Sequence, residues 1–243
     1  MATKQSIEFG KLFSEKFTSP ILEIGSKIYD EYEQYSPKNI SDMAGSYVGI
    51  DISDGVGVDL VVDFSEVDIV RKLGWVNKFN TIHCHCVLEH VPDIFTFSKN
   101  IQEALNVSGT LYLTVPFSWK IHRMPVDMWR FTPQGIDYLF TDITFNSKEC
   151  AFSTRKKKTF YPIDNIPELN LGSELENNGR IFSYTIKFLR KMGLDKGYFK
   201  ERALLFESNL MMIGVKSDKE NYSIYKKKVL KIIHDSGRVE IIN

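Results

Sequence analysis

The 243-residue chain carries 31 Lys and Arg against 31 Asp and Glu, with 43% hydrophobic and 13% aromatic residues. That is enough apolar material for one well-filled domain, and the balanced charge gives no electrostatic ground for binding nucleic acid or an anionic membrane. Three cysteines make no disulfide framework, no stretch resembles a signal peptide, and no run reaches the ~18 apolar residues of a membrane span, so a soluble cytoplasmic protein is expected.

In chain order, residues 1–19 form an N-terminal helical segment with a helix expected over 7–17. Pro20 then precedes a buried strand, "ILEI", and residues 26–35 read as a helix stopped before Pro37. "YVGID" at 47–51 and "VDLVVDF" at 58–64 are a second and third strand. Val67, Val70 and Leu73 have helical spacing closed by Gly74. "TIHCHCVL" at 81–88 is a fourth strand, and Asp93 opens a helix with Ile94, Phe97, Ile101, Ala104 and Leu105 on one face. "SGTLYLTVPF" at 108–117 is a turn and a fifth strand, and Thr132-Pro133 caps and starts a helix that buries Ile136, Leu139 and Phe140. Late strands are expected near 143–152 and 209–215. Between them, 155–205 is too long for a simple connection; it is an insertion or cap, with an amphipathic helix at 180–193 that either covers the acceptor pocket or makes a homodimer contact. Residues 219–243 read as a helix to about 234 and a tail. The basic runs "RKKK" at 155–158 and "KKKVLK" at 226–231 read as solvated faces.

Strand and helix alternate from 20 to 140, which predicts a single α/β domain over 1–243: a mostly parallel sheet with helices on both faces. Ligands of such sheets bind beyond the carboxyl ends of the strands. Asp51 ends the second strand, where a carboxylate accepts both ribose hydroxyls. Asp63 ends the third and can accept from an adenine amine, with Phe64 stacking or screening. Glu23 stands beside the first turn. A dinucleotide's diphosphate wants glycines and helix-start amides there rather than a carboxylate. S-adenosylmethionine has no phosphate and a cationic methionine end that suits Glu23, and its close approach needs only Gly25.

"HCHC" at 83–86 suggests a metal, but alternate residues of a strand face opposite ways, and four ligands must converge. No metal site is read there; the cysteines pack as small apolar groups. Glu89 and His90 either fix the turn after the fourth strand or stand at the mouth of the acceptor pocket. "FSWKIHRMPVDMWRFTP", 117–133, follows the fifth strand and has the large polar and aromatic side chains of a substrate loop. Within it Trp129 and Phe131 are expected to pack under the next helix, and Arg130 to pair with Asp127.

The ordered set "ILEIGS", "YVGIDISDGVGVDLVVDF", "VLEHVPD", "SGTLYLTVPF" and "PVDMWRFTPQGIDYLF" resembles class I S-adenosylmethionine-dependent methyltransferases, in particular the branch found beside sugar- and polysaccharide-biosynthesis enzymes. The resemblance runs from about residue 20 to 145. It implies a Rossmann-like fold with an antiparallel last strand, and S-adenosylmethionine as cofactor. It also implies Glu23, Gly25 and Ser26 at the methionine end, Asp51 and Ile52 at the ribose, Asp63 and Phe64 at the adenine, and Cys84 and His85 flanking the cofactor. Two features depart from the pattern: Asn80 replaces the usual acid before the fourth strand, and the first loop is poorer in glycine. The implied chemistry is direct displacement, an acceptor oxygen attacking the methyl group in line with the departing sulfur, so alignment supplies much of the acceleration. His122 is the expected base, and Asp127 its orienter or a clamp for a polyol. The expected acceptor is a small molecule or glycan. Two rivals differ in class: a nicotinamide-dependent oxidoreductase, and a non-catalytic interaction scaffold on the same fold.

Overall fold

The computed structural model describes residues 2–29, 37, 40, 45–122, 126–154, 157–165, 184, 185, 188, 189, 191, 192 and 207–218. The first helix, α1 (Lys4–Lys11), starts at a reciprocal cap: the Ser6 amide donates to the Thr3 hydroxyl, and the Thr3 amide to the Ser6 hydroxyl. It is shorter than expected and gives way to a 3-10 turn, Ser14–Lys16. Gly10 lies so close to the sheet that a Cβ there would stand 2.8 Å from the Tyr112 ring.

Strands β1 (Ile21–Ile24), β2 (Tyr47–Asp51) and β3 (Leu60–Val61) follow, then helix α2 (Ile69–Lys72) and strand β4 (Phe79–His85). Residues 26–29 are not helical, contrary to expectation, and 30–35 lie outside the described residues. The third strand shrinks from seven expected residues to two because the Asp59 carboxylate takes the Gly49 amide at 2.7 Å, in place of a main-chain acceptor. Helix α3 (Ile94–Ala104) is capped by Asp93, which accepts from the Phe95 and Thr96 amides. Strand β5 (Leu105–Ser118), helix α4 (Pro133–Leu139) capped by Thr132, and strands β6 (Ile143–Thr154), β7 (Lys157–Pro162) and β8 (Ser208–Lys216) complete the order.

The eight strands lie in the order β3-β2-β1-β4-β5-β8-β6-β7. Neighbours from β3 to β5 are parallel, whereas β8 runs antiparallel to β5 and β6, and β7 antiparallel to β6. Strand β7 falls inside the expected 155–205 insertion, which therefore begins by extending the sheet. The helix expected at 180–193 is described only at 184, 185, 188, 189 and 191, which are helical, and at 192, a turn; the tail helix lies outside the described residues. No helix among the described residues is long and apolar enough to cross a membrane. The chain leaves β1 toward β2 on one side and returns to β4 on the other, so the switch point is at the carboxyl ends of β1 and β4, where such sheets bind ligands.

Helices cover both faces. On one, Leu22, Ile82, Cys84, Leu111 and Leu113 meet α3 and α4 through Ile101, Ile136 and Leu139. On the other, α1 presents Ile7 and Phe9 to Tyr112 and Met211, and the Tyr112 hydroxyl donates to the Ser6 carbonyl at 2.5 Å. His83 and His85 belong to this second face. They stack on each other with ring centroids 5.5 Å apart, between Phe17 and Tyr112. His85 Nδ1 lies 2.8 Å from the Thr114 hydroxyl, and His83 Nε2 has no hydrogen-bond partner among the described residues.

Burial lowers the His83 pKa to about 3, and burial with the neighbouring His83 lowers that of His85. Both are neutral in the fold and near 6.5 when unfolded, so the unfolded chain binds more protons as pH falls. The His83 contribution is intact above about pH 6.5 and is lost toward pH 3, at roughly 1.4 kcal/mol per pH unit, and the His85 contribution changes in the same direction. Between pH 7 and 5 His83 therefore removes about 2 kcal/mol. Burial raises the Glu89 pKa, an effect of opposite sign, so the His share is read as the difference between wild type and a His83→Phe variant in urea unfolding. That variant should lose about 2 kcal/mol less than wild type between pH 7 and 5; an unchanged slope would mean that His83 reaches solvent.

Candidate cofactor and acceptor site

Strand β1 ends at Ile24, and the chain turns at once over the end of β2: the Gly25 and Ser26 amides both donate to the Ile50 carbonyl, at 2.8 and 3.0 Å. Gly25 has φ +79°, and a Cβ there would lie 2.4 Å from Val87 Cγ2. Both facts demand glycine. Gly25→Ala should cost about 2 kcal/mol or more in chemical unfolding, from the left-handed backbone and the clash together. Adding Val87→Ala should restore the clash part; no restoration would mean that the backbone alone sets the cost. The Ser26 hydroxyl, beside this glycine, is buried with no hydrogen-bond partner among the described residues.

Glu23 faces the same side of the sheet as Tyr47, whose hydroxyl donates to Glu23 Oε2 at 2.5 Å. Burial and the Glu23 charge hold the Tyr47 pKa far above its usual value, so it stays a donor. Tyr47 was not singled out from sequence. Its pairing with Glu23 follows from the register Ile21↔Tyr47 and Glu23↔Gly49, which only the folded sheet supplies.

Asp51 Oδ2 accepts from the Lys27 amide at 3.3 Å, and Oδ1 from the Ser53 amide and hydroxyl at 3.1 and 3.3 Å. Three of the roughly four lone-pair sites of a carboxylate are thus engaged. Ile52 beside it is exposed. Asp63 is exposed and accepts from the Ser65 amide and hydroxyl.

Three expected side chains lie elsewhere. Phe64 is buried edge-on against Phe97, 6.0 Å between centroids, so it is a core residue rather than a face on which a base could stack. Cys84 is fully buried on the α3 side, where burial drives its thiol pKa upward. His85 points the other way, into the Tyr112 layer. The period-2 alternation of β4 explains both. What the end of β4 presents to the switch point is the turn at Cys86 (φ 53°) and Val87.

The loops that follow β4 and β5 pack against each other. After β4, a 3-10 turn, Leu88–His90, buries Glu89, and burial raises its pKa. After β5, the loop folds back so that the Met128 amide donates to the Glu89 carbonyl at 2.8 Å, and His90 Nδ1 bonds the Val126 carbonyl. Asp127 is the anchor, its side chain 1% exposed. It accepts from Arg130 Nη1 and Nη2 at 2.5 and 2.8 Å and from the His122 amide at 2.8 Å. Arg130 holds the Asp127 pKa well below the usual carboxylate range. His122 Nδ1 lies 3.2 Å from Asp127 Oδ2, off the line of a hydrogen bond, and its ring stands 5.0 Å from that of His90 at 78°. Phe131 is in the core, as expected. Trp129 is 37% exposed and instead ties the loops together, its indole N–H donating to the Val91 carbonyl at 2.8 Å.

No family model and no curated protein matches the chain. Solved structures do. One, concerned with the conversion of a disulfide bond into a thioacetal group during echinomycin biosynthesis, aligns with a TM-score of 0.50 at 9% identity, over 98% of this chain and 89% of that one. Phosphoethanolamine N-methyltransferase 2 of Haemonchus contortus, in complex with phosphomonomethylethanolamine and S-adenosylhomocysteine, aligns with a TM-score of 0.47 at 17% identity. That alignment covers 88% of this chain and 52% of the Haemonchus protein, so the chain spans about half of its length. CurJ carbon methyltransferase gives 0.47 and 10%, over 86% of this chain and 54% of its own. At such identities the likeness is one of fold. With its five parallel strands, helices on both faces and antiparallel β8, the chain has a Rossmann-like α/β fold.

Proposed function

We propose that the protein transfers a methyl group from S-adenosylmethionine to an oxygen of a small sugar-like or polysaccharide-related acceptor. The observation that carries this reading is the first turn: one glycine of positive φ, a buried Ser26 hydroxyl in need of a partner, and a carboxylate two residues before Gly25. A diphosphate finds neither a run of glycines nor a helix start here, since 26–29 are not helical. The amino and carboxylate groups of a methionine end find a hydroxyl and, directly or through water, Glu23.

In this reading Asp51 accepts the ribose hydroxyls, one of them replacing the long Ser53 hydroxyl contact, while Ile52 covers the nucleoside and Asp63 accepts from the adenine amine. Gly25 and Ser26 bound the methionine end. Phe64, Cys84 and His85 support these residues from the core without touching the cofactor. When bound, S-adenosylmethionine supplies an already activated methyl group, so the protein's task is to align the acceptor and remove its proton. His122 is the base. Asp127 positions it through the His122 amide and faces Nδ1, which leaves Nε2 for the acceptor hydroxyl. The acceptor class follows from the sequence resemblance alone.

Calorimetric titration with S-adenosylhomocysteine beside NADH tests the reading. Heat with S-adenosylhomocysteine alone is expected; heat with NADH alone would favour the oxidoreductase, and heat with neither the interaction scaffold. Incubation with labelled methyl donor and a panel of glycans, followed by mass analysis, then identifies the acceptor and the methylated atom.

A further inference from the structure

We propose that Glu89, His90 and His122 bind one divalent transition-metal ion, of the zinc or cobalt kind, at the mouth of the acceptor pocket. Each residue offers one ligand atom, a ring nitrogen or a carboxylate oxygen, and the three atoms lie within 4.8 Å of one another. Bonds of about 2.1 Å in tetrahedral geometry put ligand atoms about 3.4 Å apart, so side-chain shifts of roughly an ångström close the set. Glu89 Oε1 and His90 Nε2 already stand close to that spacing, at 3.8 Å.

A second observation points into the same place. Glu89 is 1% exposed, and its Oε2 has no hydrogen-bond partner among the described residues. A buried carboxylate oxygen left in this state is costly unless a proton or a cation meets it. Arg130 does not, because its N–H groups are directed at Asp127 and at the carbonyls of Trp119, Lys120 and Trp129.

The surroundings of both imidazoles fit as well. His90 Nδ1 bonds the Val126 carbonyl, and His122 Nδ1 faces the carboxylate of Asp127, itself clamped by Arg130. A carbonyl or carboxylate on the second ring nitrogen is what fixes the orientation of a metal-binding histidine. Two imidazoles and one carboxylate suit zinc, cobalt or iron(II) better than magnesium or calcium, which prefer oxygen throughout. Three protein ligands also leave coordination positions open. The inference rests on the proposed methyl transfer in one respect: an ion here would meet the acceptor hydroxyl and make it easier to ionise, with the proton passing to solvent, and His122 would then serve as ligand in place of base.

The test uses the full chain, stripped with chelator and titrated with Zn²⁺ by calorimetry and with Co²⁺ by visible absorption, with Mg²⁺ as control. One equivalent of Zn²⁺ and a Co²⁺ ligand-field band are expected, with no Mg²⁺ heat. Glu89→Gln and His90→Asn should each weaken binding by more than the roughly 10–100-fold that outer-shell partners cost, and Cys86→Ser should not. Should Glu89→Gln fail to fold by circular dichroism, His122→Asn takes its place. Absence of Zn²⁺ and Co²⁺ binding, binding retained in the ligand variants, or a band abolished by Cys86→Ser would each overturn the inference. S-adenosylhomocysteine titration of the same samples separates the two readings: cofactor binding without metal binding leaves the cofactor assignment standing and removes the metal.

Discussion

An Asp51→Ala variant loses most of its affinity for S-adenosylhomocysteine. The carboxylate ends β2, beside the switch point, and in the proposed reading its charge-assisted hydrogen bonds to two ribose hydroxyls contribute about 1.5–3 kcal/mol each. A loss of about 3 kcal/mol or more corresponds to a rise in Kd of roughly 100-fold. The folded chain should suffer less, because Asp51 is half-buried and its own contacts, to the Lys27 amide and Ser53, are long at 3.1–3.3 Å. Calorimetry gives Kd and urea unfolding the stability, so a ligand effect is told from a folding effect. An unchanged Kd would put the ribose elsewhere.

The second large effect falls on the acceptor loop. Asp127→Asn removes the charge opposite Arg130 and leaves one acceptor oxygen where the carboxylate served two guanidinium nitrogens and the His122 amide. The Asp127 side chain is 1% exposed but that of Arg130 is 28% exposed, so water partly screens the guanidinium left without its counter-charge, and the cost is about 1–3 kcal/mol. Methyl transfer should fall with it, because His122 loses its anchor, while affinity for S-adenosylhomocysteine stays near wild type. The pH dependence has a definite sign. The folded pKa of Asp127 is depressed, so its stabilisation is present above the unfolded value near 3.9 and is lost as pH falls below it. Arg130→Lys should reproduce much of the loss, since an ammonium cannot form the two-pronged pair. A stability change under about 1 kcal/mol in Asp127→Asn would place the pair at the surface level of importance.

How much could be read beforehand differs by element. The caps at Asp93 and Thr132 were legible because a short polar side chain before an apolar helical period is a local signal, and local geometry obeys it. The third strand was overestimated because its hydrophobic run says nothing about Asp59 capturing the Gly49 amide across the sheet. Cys84, His85 and Phe64 were named for their place at strand ends. A strand end has two faces and an interior, and which of them a side chain takes depends on the layers packed above and below.

From the amino acids alone came the alternation of strands and helices, the acid Asp51 at the end of the second strand, the single glycine of the first turn and the pairing of Arg130 with Asp127. Period, capping chemistry and opposite charge three residues apart are all written in neighbouring positions. Only the folded chain joined Glu23 to Tyr47, turned Ser26 inward and brought Glu89 and His90 against His122, more than 30 positions away. Those contacts arise from register and from one loop folding onto another, and no local pattern carries information about which distant surface a buried side chain will meet.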